Sequence, residues 1–447
     1  MPPSHVPGAP SPARPPMRVG LLGSGVVGSG TCRVLERNRA LIRARAGRDI
    51  TLTMLAARNL PRARQLVGPE VEVVDDAMRV VRHPLIDVVV EVIGGCTVAR
   101  ELVLQAIAHG KHVVTANKAL LALHGDEIFA AARAQGVMVA FEGAVAVSIP
   151  IVKALREGLT ANRIEWVAGI VNGTSNYILT EMRDKGVAFA AALAEAQRLG
   201  YAEADPRFDV EGIDAGHKLA LLASMAFGMP LRFDAMHIEG IGALQAADFR
   251  HAEQLGYRIK LLGVARRQAA GIELRVHPAL VPARSLMAGV DGSMNAVMVK
   301  GDAAGLTMYY GAGAGSEQTA SAVIADLVDV ARLADAEPAQ RAPALAFPPE
   351  AQSAWAVLPL AELVTRHYLR VPVCDGDAVL DDVLDVLARH GITIDTHRDA
   401  ISGAGGRELL FVTQDAQEAT MCAAITALQA LRCVRAAAVR LRVEMLA

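Results

Sequence analysis

Three groups of residues in this chain have the types and spacing that chemistry needs. Gly23, Gly25 and Gly28 form a G-x-G-x-x-G string, with Val26 and Val27 inside it, directly after the apolar run Arg18–Leu22. Between a strand and a helix such a string cradles a pyrophosphate: the first glycine permits a tight turn, the second lets backbone approach the anion, and the third lets helix and strand pack closely. The second group is the string TANK, Thr115 to Lys118, which follows an apolar run and so falls at the carboxyl edge of a sheet. The third is EADPRFDVEGIDAGHK, which gathers Glu203, Asp205, Asp209, Glu211, Asp214 and Lys218 around a loop-to-helix junction. Asp214 and Lys218 stand four apart, the spacing of a helical ion pair, and Asp209 is of a type that caps helices. A nicotinamide dinucleotide, a lysine and several acids together suit hydride transfer to an aldehyde on an amino-acid substrate. Acids hold the ammonium group, and a cation or proton donor stabilises the alkoxide that forms as hydride arrives.

An NAD-selective site wants Asp or Glu at the end of the second strand, to bond the ribose 2′-hydroxyl. Here that position reads Ala57-Arg58-Asn59, followed by Arg62 and Arg64. Guanidinium groups suit an extra 2′-phosphate, so NADP(H) is the favoured cofactor and NAD(H) the alternative.

The elements that must carry these groups follow from periodicity. Strand-like runs at Arg18–Leu22, Thr51–Ala57, Val71–Val74, Asp87–Gly95, Lys111–Ala116 and Val137–Gly143 alternate with helical patterns, which predicts a mostly parallel, doubly wound sheet of the Rossmann kind. After Pro150 a helix (IVKALREGL), a strand (RIEWVAGIV), a long helical pattern from Asp209 to Phe227, and extended runs (IELRVHPALVP, AVMVKGD, LTMYYGAGAG) predict an α+β region with an antiparallel sheet. The Pro- and Ala-rich stretch Ala334–Glu350 reads as a linker. Beyond it the order strand, helix, strand, strand, helix, strand is ferredoxin-like. The expected domains are therefore a disordered head (1–16), a Rossmann domain (17–143), a catalytic and dimerisation domain (144–333), a linker (334–352) and a ferredoxin-like domain (353–447).

Composition closes off other classes. The chain has 447 residues, 52% apolar and 21% charged, with 45 basic against 47 acidic side chains. That balance supplies no basic field for nucleic acid or an anionic membrane surface. No uncharged apolar stretch reaches the ~18 residues of a membrane span. Five scattered cysteines without a CxxC pair argue against a disulfide framework and for a reducing cytoplasm.

The strings GKHVVTANKALLA, FEGAVAVSIPIVKALREGL, NRIEWVAGIVNGTSNYILTEM, LGYAEADPRFDVEGIDAGHKLALLASMAFG and YYGAGAGSEQTASAVIADL closely resemble the homoserine dehydrogenase family, over about Met17 to Arg332. The segment after the linker resembles the ACT-type amino-acid-binding domain of many bacterial members. The resemblance implies NAD(P)H-dependent, reversible reduction of L-aspartate 4-semialdehyde to L-homoserine, in threonine, methionine and isoleucine synthesis. It places Lys218 on the proton-donating lysine, Lys118 on a second essential lysine near nicotinamide, Glu203 on the substrate glutamate, and Asp209 and Asp214 on acids that hold substrate and orient the lysines. It also implies cofactor contact by Gly23, Gly25, Val26, Val27, Gly28, Arg58, Lys118, Gly313 and Gly315. A sodium or similar monovalent cation is implied at Glu142, Val145, Val147 and Ile149, a threonine effector at the ACT-like domain, and a homodimer or homotetramer.

The chain departs from the family pattern at three places. Relatives read AGGIP where this chain has Ala146-Val147-Ser148-Ile149-Pro150, a change that matters if either position takes positive φ, to which Val is poorly suited. Ala312 and Gln318 stand where a basic residue and Pro are usual. The family's effector turn D-x-P-G-V-L is here Asp375-Gly376-Asp377-Ala378-Val379-Leu380. Two rivals stay open at this point: a reductase of a related small aldehyde, and a nucleotide- and amino-acid-binding sensor without turnover.

Overall fold

A computed structural model describes residues 14–401 and 406–446. The chain divides into two compact units: residues 1–120, 127–143 and 315–344 form the first, and 121–126, 144–314 and 345–447 the second. Residues 1–13 of the expected disordered head lie outside the described residues.

The first unit is built on six parallel strands: β1 (Met17–Leu22), β2 (Ile50–Ala56), β3 (Glu72–Val74), β4 (Val88–Glu91), β5 (His112–Thr115) and β6 (Val139–Ala140), in the order β3-β2-β1-β4-β5-β6. That is the doubly wound Rossmann order, with the switch point between β1 and β4. The strands are short and apolar because both faces are covered, so alternation is lost and each reads as a continuous run. Val88, Val89, Val90, Val113 and Val114 are all fully buried.

The helix Ser316–Leu333 also packs in this unit, although the expected domain boundary put it in the second. Its apolar face (Ala320, Val323, Ile324, Leu327, Val330, Ala331) completes the core around Val19, Leu21, Leu35 and Val90. Its start is tied to the helix Val26–Arg37, where Ser316 Oγ donates to the Val26 carbonyl at 2.6 Å and Arg37 forks onto Glu317 at 3.0 and 2.8 Å.

The second unit carries a mixed sheet of eleven strands. They are β7 (Ile164–Ile170), β8 (His237–Ile238), β9 (Tyr257–Arg267), β10 (Ile272–Pro282), β11 (Met294–Gly301), β12 (Gly305–Ala312), β13 (Val364–Val373), β14 (Ile394–Ile401), β15 (Arg407–Thr413), β16 (Ala416–Gln417) and β17 (Val439–Val443). The main path runs β12-β11-β7-β9-β10-β17-β13-β15-β14, with β8 beside β10 and β16 beside β13. The C-terminal part runs strand, helix, strand, strand, strand, helix, strand, the expected βαββαβ order with the two-residue β16 added. It is not set apart as a separate sheet, because β17 pairs in parallel with β10 (Ala279 opposite Arg442, Leu280 opposite Val443). Buried charge joins the same seam: Arg275 Nη2 donates to Glu444 at 2.7 Å, and Arg370 donates to Asp248 and Glu408 at 2.8 Å each.

The helical pattern expected to run unbroken from Asp209 to Phe227 is two helices, Arg207–Val210 and Ile213–Phe227. Gly212 interrupts it with φ of +84°, in the left-handed region that favours glycine. A Cβ at Gly212 would meet Ile238 and Val276 at 3.1 and 3.2 Å, so the break also lets the chain lie against β8 and β10. Gly228 then closes the second helix at φ of +62°, where the sequence put its end.

Candidate active site

In the second unit, Asp209, Asp214 and Lys218 are brought together around one residue the sequence did not single out, Asn172. Asn172 precedes the helix Gly173–Lys185 and caps it, its Oδ1 accepting from the Ser175 N–H at 2.8 Å. The amide nitrogen of the same side chain donates to Asp209 Oδ1 at 2.7 Å and to Asp214 Oδ2 at 2.8 Å. Ser175 Oγ adds a bond to the Asp209 carbonyl at 2.8 Å. Lys218, one helical turn beyond Asp214, donates to Asp214 Oδ2 at 2.6 Å and to the Val171 carbonyl at 2.7 Å. The pair is buried, with side-chain exposures of 8% and 5%.

The sequence allowed an ornamental surface pair at this spacing, and the burial rules that out. A buried ammonium is tolerable only beside a carboxylate and further acceptors, which Asp214 and the Val171 carbonyl supply. The arrangement gives a lysine aimed by a carboxylate whose own orientation is fixed by an amide, a layout suited to delivering a proton at a defined point. Glu203 lies in an exposed loop, where its backbone carbonyl accepts from Gln197 at 3.1 Å. Gly313 lies at the end of β12 against Asn295, whose amide a Cβ at Gly313 would meet at 2.3 Å.

In the first unit, the glycine string forms the expected turn. Gly23 takes φ of +107°, and a Cβ on Gly28 would stand 2.0 Å from the Gly23 carbonyl oxygen. Gly25, the residue before the helix Val26–Arg37, is exposed, has open space around its Cα, and offers no side chain as a cap. The first N–H groups of the helix are thus left for an anion, with Val26 exposed and Val27 half-buried beside them. These features fit a dinucleotide's pyrophosphate. Arg58 is exposed just past β2. Arg64, grouped with it in the sequence, is instead committed to structure, donating to the carbonyls of Val71 and Val73 at 2.9 and 3.4 Å.

Lys118 is the first residue of the helix Lys118–Ala134, and a hydrogen-bonded cluster fixes that helix start. Glu91, fully buried at the end of β4, accepts from the N–H groups of Ile93 and Gly94 at 2.9 and 3.1 Å and from the Thr115 hydroxyl at 2.7 Å. Thr115 Oγ1 accepts from the Asn117 N–H at 3.0 Å, and Asn117 caps the helix through the Leu120 N–H at 3.1 Å. Sequence reading overlooked Glu91; a lone acid inside the apolar run DVVVEVIGG was the available signal.

Of the four residues implied for a cation, Glu142 belongs to the first unit, where it is buried and its N–H donates to Asp326 at 2.8 Å. Val145, Val147 and Ile149 belong to the second. Ala146 and Val147 both take positive φ, +52° and +49°, in the region that suits glycine and to which a β-branched residue such as Val147 is poorly suited.

Comparison with known proteins agrees with this geometry. The family profile described as homoserine dehydrogenase matches residues 150–328, and that described as its NAD-binding domain matches residues 23–142. A homoserine dehydrogenase of Pseudomonas aeruginosa is 55% identical over 96% of this chain and 99% of its own. The chain belongs to the homoserine dehydrogenase family. The Neisseria gonorrhoeae enzyme is 49% identical over 96% of the chain and 99% of its own. The crystal structure of a homoserine dehydrogenase from Thiobacillus denitrificans superposes with a TM-score of 0.92 at 56% identity, covering 97% of this chain and 99% of that one. Family membership makes the chain a nicotinamide-dependent oxidoreductase and supports the homoserine dehydrogenase reading over its two rivals.

Proposed function

We propose that the cluster Asn172–Asp209–Asp214–Lys218 is the centre at which this homoserine dehydrogenase reduces L-aspartate 4-semialdehyde to L-homoserine, with Lys218 as general acid. The observation that carries the assignment is the buried Lys218–Asp214 pair held by the Asn172 amide. The bound nicotinamide supplies the hydride. As charge develops on the aldehyde oxygen, the Lys218 ammonium gives up a proton to it, and the reverse reaction takes that proton back. Asp214 keeps the lysine oriented, Asp209 and Glu203 hold the substrate ammonium, and in the first unit Lys118, at the start of the helix that Asn117 caps, supports the nicotinamide. The reverse reaction needs Lys218 neutral to take that proton back, so oxidation of homoserine gains at high pH.

Purified protein assayed with L-homoserine and NADP+ at alkaline pH, beside Lys218→Ala, tests the assignment: the variant is expected to lose at least ~100-fold in kcat. Equal turnover by the two proteins removes Lys218 from the role.

The same reading takes Gly23, Gly25, Val26, Val27 and Gly28 as the phosphate cradle, with Gly315 of the same unit approaching the nicotinamide. Arg58 favours NADP(H), since its guanidinium is exposed just past β2. A monovalent cation is assigned to the carbonyls of Val145, Val147 and Ile149 in the second unit, oxygen ligands suited to a hard ion. Assembly as a homodimer, or a tetramer built from it, is assigned to the sheet edge β12, an edge strand of the main path that exposes Tyr310. An amino-acid effector such as threonine is assigned to the Asp375–Leu380 turn. Five free cysteines suit a reducing cytoplasm, and among the described residues no helix is long and apolar enough to cross a membrane.

A further inference from the structure

The acid loop that carries Asp209 and Asp214 does not stand on its own helix alone. It rests on a short strap made by β8 and the residues after it. The Ile241 N–H donates to the Val210 carbonyl at 2.8 Å. A Cβ on Gly240 would stand 2.5 Å from the Val210 oxygen and 2.8 Å from the Glu211 Cα, so the two backbones touch without intervening side chains. Ile238 fills the space over Gly212 and Gly216, at 3.1 and 2.8 Å from where their Cβ atoms would be. Contact this close has no slack, and a displacement of the strap displaces the loop.

The strap is held from two sides. The Glu239 N–H donates to the Val276 carbonyl on β10 at 2.8 Å, which fixes its backbone. Its carboxylate reaches the C-terminal strand β17, where Arg442 Nη1 donates to Glu239 Oε1 at 3.0 Å. Arg442 is 1% exposed and is itself fixed by Glu418, through Nε at 2.6 Å and Nη2 at 3.1 Å. His237 Nε2 lies 2.7 Å from the same Glu239 oxygen. Burial works to raise the Glu239 carboxyl, but the His237 hydrogen bond and the Arg442 charge overcome it and hold the group well below the usual carboxylate range. Glu239 is thus an anion gripped by a cation from a segment some two hundred residues further along the chain.

We propose that Glu239 is a positioning residue: Arg442 of the C-terminal segment, by gripping it, sets the strap Ile238–Ile241 and through it the placement of Asp209 and Asp214. The C-terminal segment thereby sets the affinity for the amino-acid substrate without touching it. The inference rests on the assignment of Asp209 and Asp214 to the substrate. Misplacing a binding group by about 1 Å costs on the order of 100-fold, so partial release of the strap is read as a smaller, selective loss of substrate affinity.

The experiment is steady-state kinetics of the full chain with L-homoserine and NADP+, comparing Glu239→Ala, Glu239→Gln and Asp214→Asn with the parent. Glu239→Ala is expected to raise KM for homoserine about ten-fold, with KM for NADP+ changed less than about two-fold. Glu239→Gln retains an oxygen that accepts from Arg442 and is expected to raise it only about three-fold. A folded Glu239→Ala protein with an unchanged homoserine KM overturns the inference. If the alanine variant does not fold, Glu239→Gln decides alone, and an unchanged homoserine KM overturns it. Asp214→Asn separates the two claims: parental activity in that variant overturns the site assignment itself, whereas its loss beside unaffected Glu239 variants overturns only the positioning role.

Discussion

Asn172 donates its amide to Asp214 Oδ2 at 2.8 Å, the same oxygen that accepts from Lys218. A helix cap has here been given a second task. Its oxygen satisfies the first turn of the helix Gly173–Lys185, while its nitrogen decides which way two carboxylates face. One side chain therefore couples a stability element to the centre of the proposed chemistry, and the two roles separate by substitution.

Asn172→Ser keeps an oxygen that serves as a cap and removes the amide donor. The variant is expected to lose about ten- to 100-fold in kcat/KM, because Asp209 and Asp214 each lose a hydrogen bond, while its stability falls by about 1–3 kcal/mol from those bonds with the helix cap kept. Kinetics with L-homoserine and a thermal melt on the same preparation check both halves. A large drop in melting temperature with parental kinetics would show that Asn172 serves the helix only.

Arg58 gives a prediction about cofactor choice. If its guanidinium meets the 2′-phosphate, Arg58→Ala raises KM for NADP+ by about ten-fold or more, the worth of a charge-assisted hydrogen bond, and leaves KM for NAD+ within about two-fold. Parallel titrations of the two cofactors read the ratio directly. An equal change for both would remove Arg58 from the phosphate and leave it a surface charge.

Legibility in the sequence followed how local each feature is. The six strands of the first sheet were readable because each is a short apolar run bounded by helical patterns, and Gly23 to Gly28 announce their turn by spacing. The lysine and acids were readable as types. Their arrangement was not, because Asn172 reaches Asp209 and Asp214 across 37 and 42 residues, and nothing near Asn172 distinguishes its amide from any other cap. The return of Ser316–Leu333 to the first unit was hidden for the same reason: its apolar face is equally suited to either core. The pairing of β17 with β10 depends on the match of Ala279 to Arg442, and a ferredoxin-like pattern read by itself gives no sign of it. Gly212 shows a local signal misread, since an isolated glycine in a helical pattern is usually tolerated and here breaks the helix.

Val147 is a β-branched residue at φ of +49°, a conformation that costs such a side chain on the order of 1–3 kcal/mol. Val147→Gly relieves that strain and gives back about 0.5–1 kcal/mol through the freer unfolded chain. The net expectation is a gain of about 1 kcal/mol, or ~2–4 °C in melting temperature for a unit of this size. Calorimetry in sodium chloride and in choline chloride at equal ionic strength adds the cation question. A larger midpoint in sodium supports an ion at the Val145, Val147 and Ile149 carbonyls, and identical midpoints argue against one.

His112 sets an expectation for acid. On β5 its Nδ1 accepts from the Met138 N–H at 3.0 Å, so the ring is the neutral tautomer with its proton on Nε2. Burial, with the nearby Arg341 charge, lowers its pKa from 6.5 to about 4. The unfolded chain takes up a proton as pH falls through 6.5, and the folded chain resists until about 4, so this contribution to stability is fully present above 6.5 and lost between 6.5 and 4. His112→Gln offers a carbonyl oxygen to the Met138 N–H and does not titrate. Between pH 7 and pH 5 its melting temperature is expected to fall less than that of the parent, by the equivalent of about 2 kcal/mol. His367 in the second unit, lowered to about 4 chiefly by burial, shares the window, so a residual slope persists in the variant. Equal losses in parent and variant would exclude His112 as a source of the acid sensitivity.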